Sequence, residues 1–130
     1  SEAERHMGEA IEAQAGVPVT NQVGKDTLPL LLGLIGRATV LLTPDSGPAH
    51  MATMVGTPVI GLYAATNPAR SGPYLSLPRC VDRFEAACQR FRGRPAAALP
   101  WTTKIEEPGV MELIETQAVI GRLDELMRDR

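Results

Sequence analysis

The stretch Thr43-Pro44-Asp45-Ser46-Gly47-Pro48-Ala49-His50 concentrates more chemistry than any other part of the chain. Its composition suits a tight turn that runs into the first turn of a helix. At such an opening the amides of Ser46, Gly47 and Ala49 have no intrahelical partner, so they can converge on a phosphate. Pro48 has no amide to lose there, and Gly47 has no β-carbon to hold a ligand away from the backbone. His50, near the first helical turn, can point its imidazole at the same place. Asp45 needs a separate reason, because a carboxylate repels a phosphate. It either caps the helix through the amides of Gly47 or Ala49, with Ser46 competing for that role, or accepts hydrogen bonds from sugar hydroxyls. The cap is the simpler of the two.

Two further loops can share a crevice with this one. Gly24-Lys25-Asp26-Thr27 places Lys25 just before a helix start, at the outlet of a candidate strand over residues 17–22. A third outlet, following Tyr63, carries Thr66, Asn67 and Arg70. In an open parallel sheet, ligands sit outside the carboxyl ends of the strands, where such loops converge.

Other chemistries lack their signatures. There is no Gly-x4-Gly-Lys-Ser/Thr loop and no Gly-x-Gly-x-x-Gly fingerprint. His6, His50, Cys80 and Cys88 do not have the close spacing of a zinc site, so no metal is expected. Two cysteines are too few for a disulfide scaffold, and a formal net charge of -2 gives no chain-wide footprint for nucleic acid. The five arginines at 79, 83, 90, 92 and 94 read as a solvated face or an anion rim rather than a nucleic-acid groove. The longest apolar block, residues 28–42, is broken by Gly33, Gly36 and Arg37 and falls short of a span of about 20 apolar residues.

The elements that must position these loops are those of an α/β domain. Ser1 and Glu4 have capping-box spacing ahead of a helix with Met7, Ala10 and Ile11 on one face, stopped at Gly16. Residues 17–22 supply a short strand, kept from a central position by Pro18. Thr27 caps a second helix with Pro29 in its first turn and Leu30, Leu31, Leu34 and Ile35 facing inward. Residues 38–43 suit a strand buried on both faces, residues 47–55 a short helix closed by Gly56, and residues 58–63 the next strand. This unit is a parallel crossover with the site at its loop tip. Residues 79–94 are partly helical through Phe84, Ala87, Cys88 and Phe91. A closing helix over residues 117–129 carries Val119, Ile120, Leu123, Leu126 and Met127 as one stripe.

Residues 21–74, with Gly-Lys-Asp-Thr-Leu-Pro, Asp-Ser-Gly-Pro-Ala-His, Gly-Thr-Pro-Val-Ile-Gly-Leu-Tyr and Asn-Pro-Ala-Arg-Ser-Gly-Pro-Tyr in that order, resemble the C-terminal domain of the ADP-heptose:lipopolysaccharide heptosyltransferases, glycosyltransferase family 9. The resemblance implies the C-terminal, nucleotide-sugar-binding half of a GT-B glycosyltransferase. Its Rossmann-like parallel sheet would lack its first strand, which should precede Ser1. Residues 1–130 would be a partial donor-binding domain with a less regular insertion at about 79–109. By resemblance, Ser46, Gly47 and Pro48 line the donor diphosphate pocket, Asp45 and His50 approach the diphosphate or the sugar, and Lys25 flanks the nucleotide. The donor is ADP-heptose or a similar nucleotide sugar, and no cofactor is implied. The acceptor is a lipopolysaccharide precursor reached through an N-terminal domain, which also holds the base for inverting transfer. No catalytic residue is therefore assigned within this chain. The whole protein is expected in the cytoplasm, peripheral to the inner membrane, and the fragment is expected to self-associate. The alternative reading is a non-catalytic nucleotide or phosphate-ligand binding module.

Overall fold

The computed structural model describes residues 1–25 and 27–129. Two compact units make up the chain, residues 1–33 and residues 34–130.

In the first unit, α1 (Glu2–Gln14) opens with the expected capping box: Ser1 accepts from the Glu4 amide, and Glu4 reaches back to the Ser1 backbone. The face that carries Met7, Ala10 and Ile11 is not buried, for α1 has no buried residue, and Met7 and Ile11 are exposed. Residues 18–22 form no strand, contrary to expectation. The physical reason is local: Pro18 offers no N–H to a ladder, and the Asn21 side chain takes the Val23 amide at 3.0 Å, turning the chain instead of extending it. That turn lies against α1, where a β-carbon on Gly8 would stand 2.8 Å from Val23 Cγ2.

The division between units falls within α2 (Leu28–Arg37). Thr27 caps it as expected, its hydroxyl accepting from the Leu30 amide at 3.3 Å. Of the four residues expected to face inward, Ile35 is buried and Leu31 half-buried, whereas Leu30 and Leu34 are exposed.

The second unit is built on a parallel three-stranded sheet in the order β1 (Leu41–Pro44), β2 (Val59–Tyr63), β3 (Val81–Asp82). Leu41 pairs with Val59 and Pro44 with Leu62, while Leu62 pairs with Val81. Between β1 and β2 runs α3 (Gly47–Val55), closed by Gly56 in the left-handed region at φ 79°. After β2 come the single turn α4 (Pro68–Ser71) and a 3-10 segment over Tyr74–Arg79. After β3 come α5 (Phe84–Arg92) and, after two more short 3-10 turns, α6 (Thr116–Arg128).

β2 is central and buried; β1 is not. Leu42 is 54% exposed, on a face that α6 covers only in part, and the other edge of β1 meets no strand among the described residues. The expectation of a strand buried on both faces is corrected accordingly. On β2, Gly61 allows the Tyr63 ring to lie across the strand, since a β-carbon there would stand 2.5 Å from Tyr63 Cε2 and 2.9 Å from Cys80 Sγ. A core of Ala64, Phe84, Ala87, Cys88, Ile105 and Val110 closes the carboxyl end of the sheet. α6 packs on β2 and β3. Its stripe is covered only in part: Leu126 is buried, while Ile120, Leu123 and Met127 remain exposed. Both cysteines are buried free thiols.

Candidate functional site

β1 ends at Pro44 and α3 begins at Gly47, so two residues, Asp45 and Ser46, carry the chain from strand to helix. Ser46 holds the N-cap position in an extended conformation, φ -160° and ψ 166°, yet its side chain does not cap. The hydroxyl is drawn back to the strand end, 2.8 Å from Thr43 Oγ1 and 3.2 Å from the Pro44 carbonyl. Asp45 does not cap either, which corrects the simpler of its two expected roles. Its Oδ2 accepts from the Ser71 hydroxyl at 3.0 Å, tying the β1–α3 turn to α4.

No side chain therefore satisfies the opening of α3. Among the described residues, the amides of Ser46 and Gly47 meet no hydrogen-bond acceptor, whereas the Ala49 amide is engaged by the Ser46 carbonyl at 3.2 Å. Two of the three expected donors are free. Gly47 is exposed, has no positive φ, and a β-carbon on it would meet nothing within 4 Å. Neither backbone conformation nor packing within the chain demands glycine at this position. Pro48 stands in the first turn, as expected, and His50 is exposed.

Lys25 belongs to the first unit, in an exposed turn where its amide donates to the Gln22 carbonyl at 3.0 Å. The adjoining Asp26 lies outside the described residues. The other five site residues, Asp45 to Pro48 and His50, belong to the second unit.

A cavity of about 230 Å³ opens at the carboxyl ends of β1 and β2, lined by Asp45, Leu62, Thr66, Lys104 and Met111 among others. Thr66, expected at the third outlet, is there; Asn67 instead caps α4 by accepting from the Ala69 amide at 3.0 Å. Ser71 and Lys104 were not anticipated. Ser71 falls in a turn-rich run whose periodicity says nothing of a partner 26 residues earlier. Lys104 did have a signal, since Lys-Ile-Glu alternates polar and apolar around the fully buried Ile105.

Beneath the site, the Tyr63 hydroxyl is buried without a partner among the described residues. Burial pushes the phenol well above its ordinary value of 10.0, and the neighbouring Asp45 carboxylate and Cys80 thiol push the same way. A group held protonated in the folded state contributes stability below its unfolded pKa and loses it as pH rises.

The chain matches glycosyltransferase family 9 (heptosyltransferase) over residues 1–101. It is 43% identical to the lipopolysaccharide core heptosyltransferase OpsX of Haemophilus influenzae over 123 residues, 95% of this chain and 35% of that protein. It is 48% identical over 50 residues to a lipopolysaccharide heptosyltransferase 3 of Escherichia coli, covering 38% of this chain and 15% of that one. A lipooligosaccharide heptosyltransferase 2 of Haemophilus influenzae is 40% identical over 53 residues, 41% of this chain and 15% of that protein. The chain thus spans about a third, or less, of the length of these relatives. No solved structure matches it.

Stability is expected to hold through neutral pH and to fall in alkaline solution, first as the unfolded thiols of Cys80 and Cys88 ionise and then, above about pH 10, as the unfolded phenol does, while their buried folded counterparts stay protonated. Urea titrations at stepped pH check this. Tyr63→Phe should reduce that alkaline loss, leaving the share due to the buried Cys80 and Cys88 thiols, and raise neutral-pH stability by roughly 1 kcal/mol, because it removes an unpaired buried hydroxyl; a Tyr63→Phe chain less stable than the original contradicts the assignment.

Proposed function

The chain belongs to glycosyltransferase family 9, and from that premise we propose that it is part of a C-terminal donor-binding domain of an inverting heptosyltransferase acting in lipopolysaccharide core synthesis. The donor is ADP-heptose or a closely similar nucleotide sugar. Its diphosphate docks on the free amides at the start of α3, with Ser46, Gly47 and Pro48 as the floor and His50 beside it. The helix end supplies a partial positive charge of about half an electron at that point. Asp45, pinned by Ser71, presents its remaining lone pairs to sugar hydroxyls rather than to the phosphate.

The observation that carries this reading is Gly47. Open space where a side chain would stand, beside amides left uncapped in a helix start, is what close approach of a phosphate requires. Family membership supports the identity of that phosphate as part of a nucleotide sugar. The acceptor, a lipopolysaccharide precursor, and the base that deprotonates its hydroxyl belong to the rest of the protein, which is cytoplasmic and peripheral to the inner membrane. Residues 1–130 bind the donor and do not transfer it.

The GT-B assignment follows the same line. We take the free edge of β1 as the place of the sheet's first strand, contributed from elsewhere in the whole protein. Two observations support it: Leu42 is exposed at that edge, and the chain covers 35% of its relative OpsX. Leu42, Met111 and Ile120 line an apolar depression of about 320 Å³, and self-association would remove it from water.

Calorimetric titration with ADP should show saturable binding to the chain. Gly47→Ala should weaken it at least tenfold without loss of stability, and His50→Ala more than Arg128→Ala does. Binding unaffected by Gly47→Ala would refute the phosphate site, and sugar transfer by the chain alone would refute the division of labour. Sedimentation velocity should show a mass that rises with concentration; a monomer at all concentrations would contradict the uncovered edge.

A further inference from the structure

The loop from Thr43 to His50 contains no lysine or arginine, and its one carboxylate, Asp45, lines the cavity at the strand ends. A helix terminus worth about half a positive charge does not offset Asp45 together with a diphosphate. A cation is needed nearby, and the cavity has one in its lining: Lys104.

Three contacts fix the backbone that carries Lys104. The Ile105 amide donates to the Ala65 carbonyl at 2.8 Å, with the Ile105 side chain fully buried in the core. Arg92 donates to the Lys104 carbonyl at 3.5 Å and pairs with Glu107. With Ile105 turned inward, Lys104 and Glu106 line the cavity together. Among the described residues, the Lys104 ammonium makes no ion pair within 4.0 Å, although both carboxylates line the same space.

Thr66 supplies an independent observation. It lines the same cavity and is 7% exposed, and its hydroxyl has no hydrogen-bond partner. A buried hydroxyl left unpaired is costly, and so rarely kept without a reason. Rotation about χ1 to another staggered position redirects the Thr66 hydroxyl, and the cavity that Thr66 lines is the space in which it can then meet an acceptor.

We propose that Lys104 and Thr66 form a second part of the donor site, in the cavity that Asp45 lines at the turn into α3, and donate hydrogen bonds to the phosphate oxygens of a nucleoside diphosphate. This inference rests on the donor-binding reading above and assigns to it residues outside the strand–turn–helix motif. Lys104 neutralises the phosphate, and Thr66 finds its missing partner only when the ligand is bound.

The test is ADP binding to the whole chain by calorimetry, at several ionic strengths, with folding of each variant checked by circular dichroism. Lys104→Gln should weaken ADP at least tenfold and flatten the salt dependence of binding, while Lys104→Arg keeps both within about threefold. Thr66→Val should weaken ADP and raise the urea midpoint of the free chain, since it removes the unpaired hydroxyl without changing volume. ADP affinity and salt dependence unchanged by Lys104→Gln, in a chain whose binding still responds to Gly47→Ala, would overturn the role of Lys104 and leave the donor site standing. No ADP binding by the unsubstituted chain would overturn the donor site and this part of it as well.

Discussion

Two amides at the start of α3 lack an acceptor because the side chains best placed to supply one are engaged elsewhere. Ser46 turns back to Thr43 and the Pro44 carbonyl, and Asp45 reaches across to Ser71. Each of these contacts removes a cap, and a missing cap typically costs about 1 kcal/mol of helix stability. The chain bears that cost at α3, and α6 likewise opens with no side-chain cap at Glu115, whereas at α1 and α4 Ser1 and Asn67 cap in the ordinary way. What is left open is a small concave set of donors at the rim of a parallel sheet, the place where α/β folds receive anionic ligands.

The sheet explains why the opening keeps its shape. β2 is buried between β1 and β3, and the register of β1 on β2 sets Pro44 opposite Leu62, so β1 ends one residue short of β2. The turn after β1 and the segment after β2 then share one cavity. Ser71 holds Asp45 from the α4 side, and the Ile105 amide on the Ala65 carbonyl holds the segment bearing Lys104. Both ties connect stretches far apart in sequence, so they depend on the packed core of Ala64, Phe84, Ala87, Cys88, Ile105 and Val110. A site built this way is preorganised by the fold and not by its own loop.

Local rules read the helices and the crossover correctly because the signals are local. Ser1 with Glu4, Thr27 with Pro29, and Gly56 after α3 are positions where one side chain or one positive φ decides the outcome. The errors fall where partners are distant. Residues 17–22 have strand composition, but a strand requires a neighbour, and Pro18 and Asn21 settle the segment as a turn. Residues 41–44 form a strand whose burial depends on what lies at its free edge, which no pattern within the strand records. Asp45 was legible as a functional residue but not in its contact, since the choice between the α3 amides and Ser71 is made by tertiary geometry.

Amide chemical shifts of the isotopically labelled chain, followed during addition of ADP, test the central claim most directly. Large shifts at Ser46 and Gly47, with small ones at α1 and at the amides of Ala87 and Cys88 in α5, are the predicted result. Saturable ADP binding that leaves Ser46 and Gly47 unmoved would contradict the account, because the ligand would then sit away from the free amides on which its diphosphate is proposed to dock.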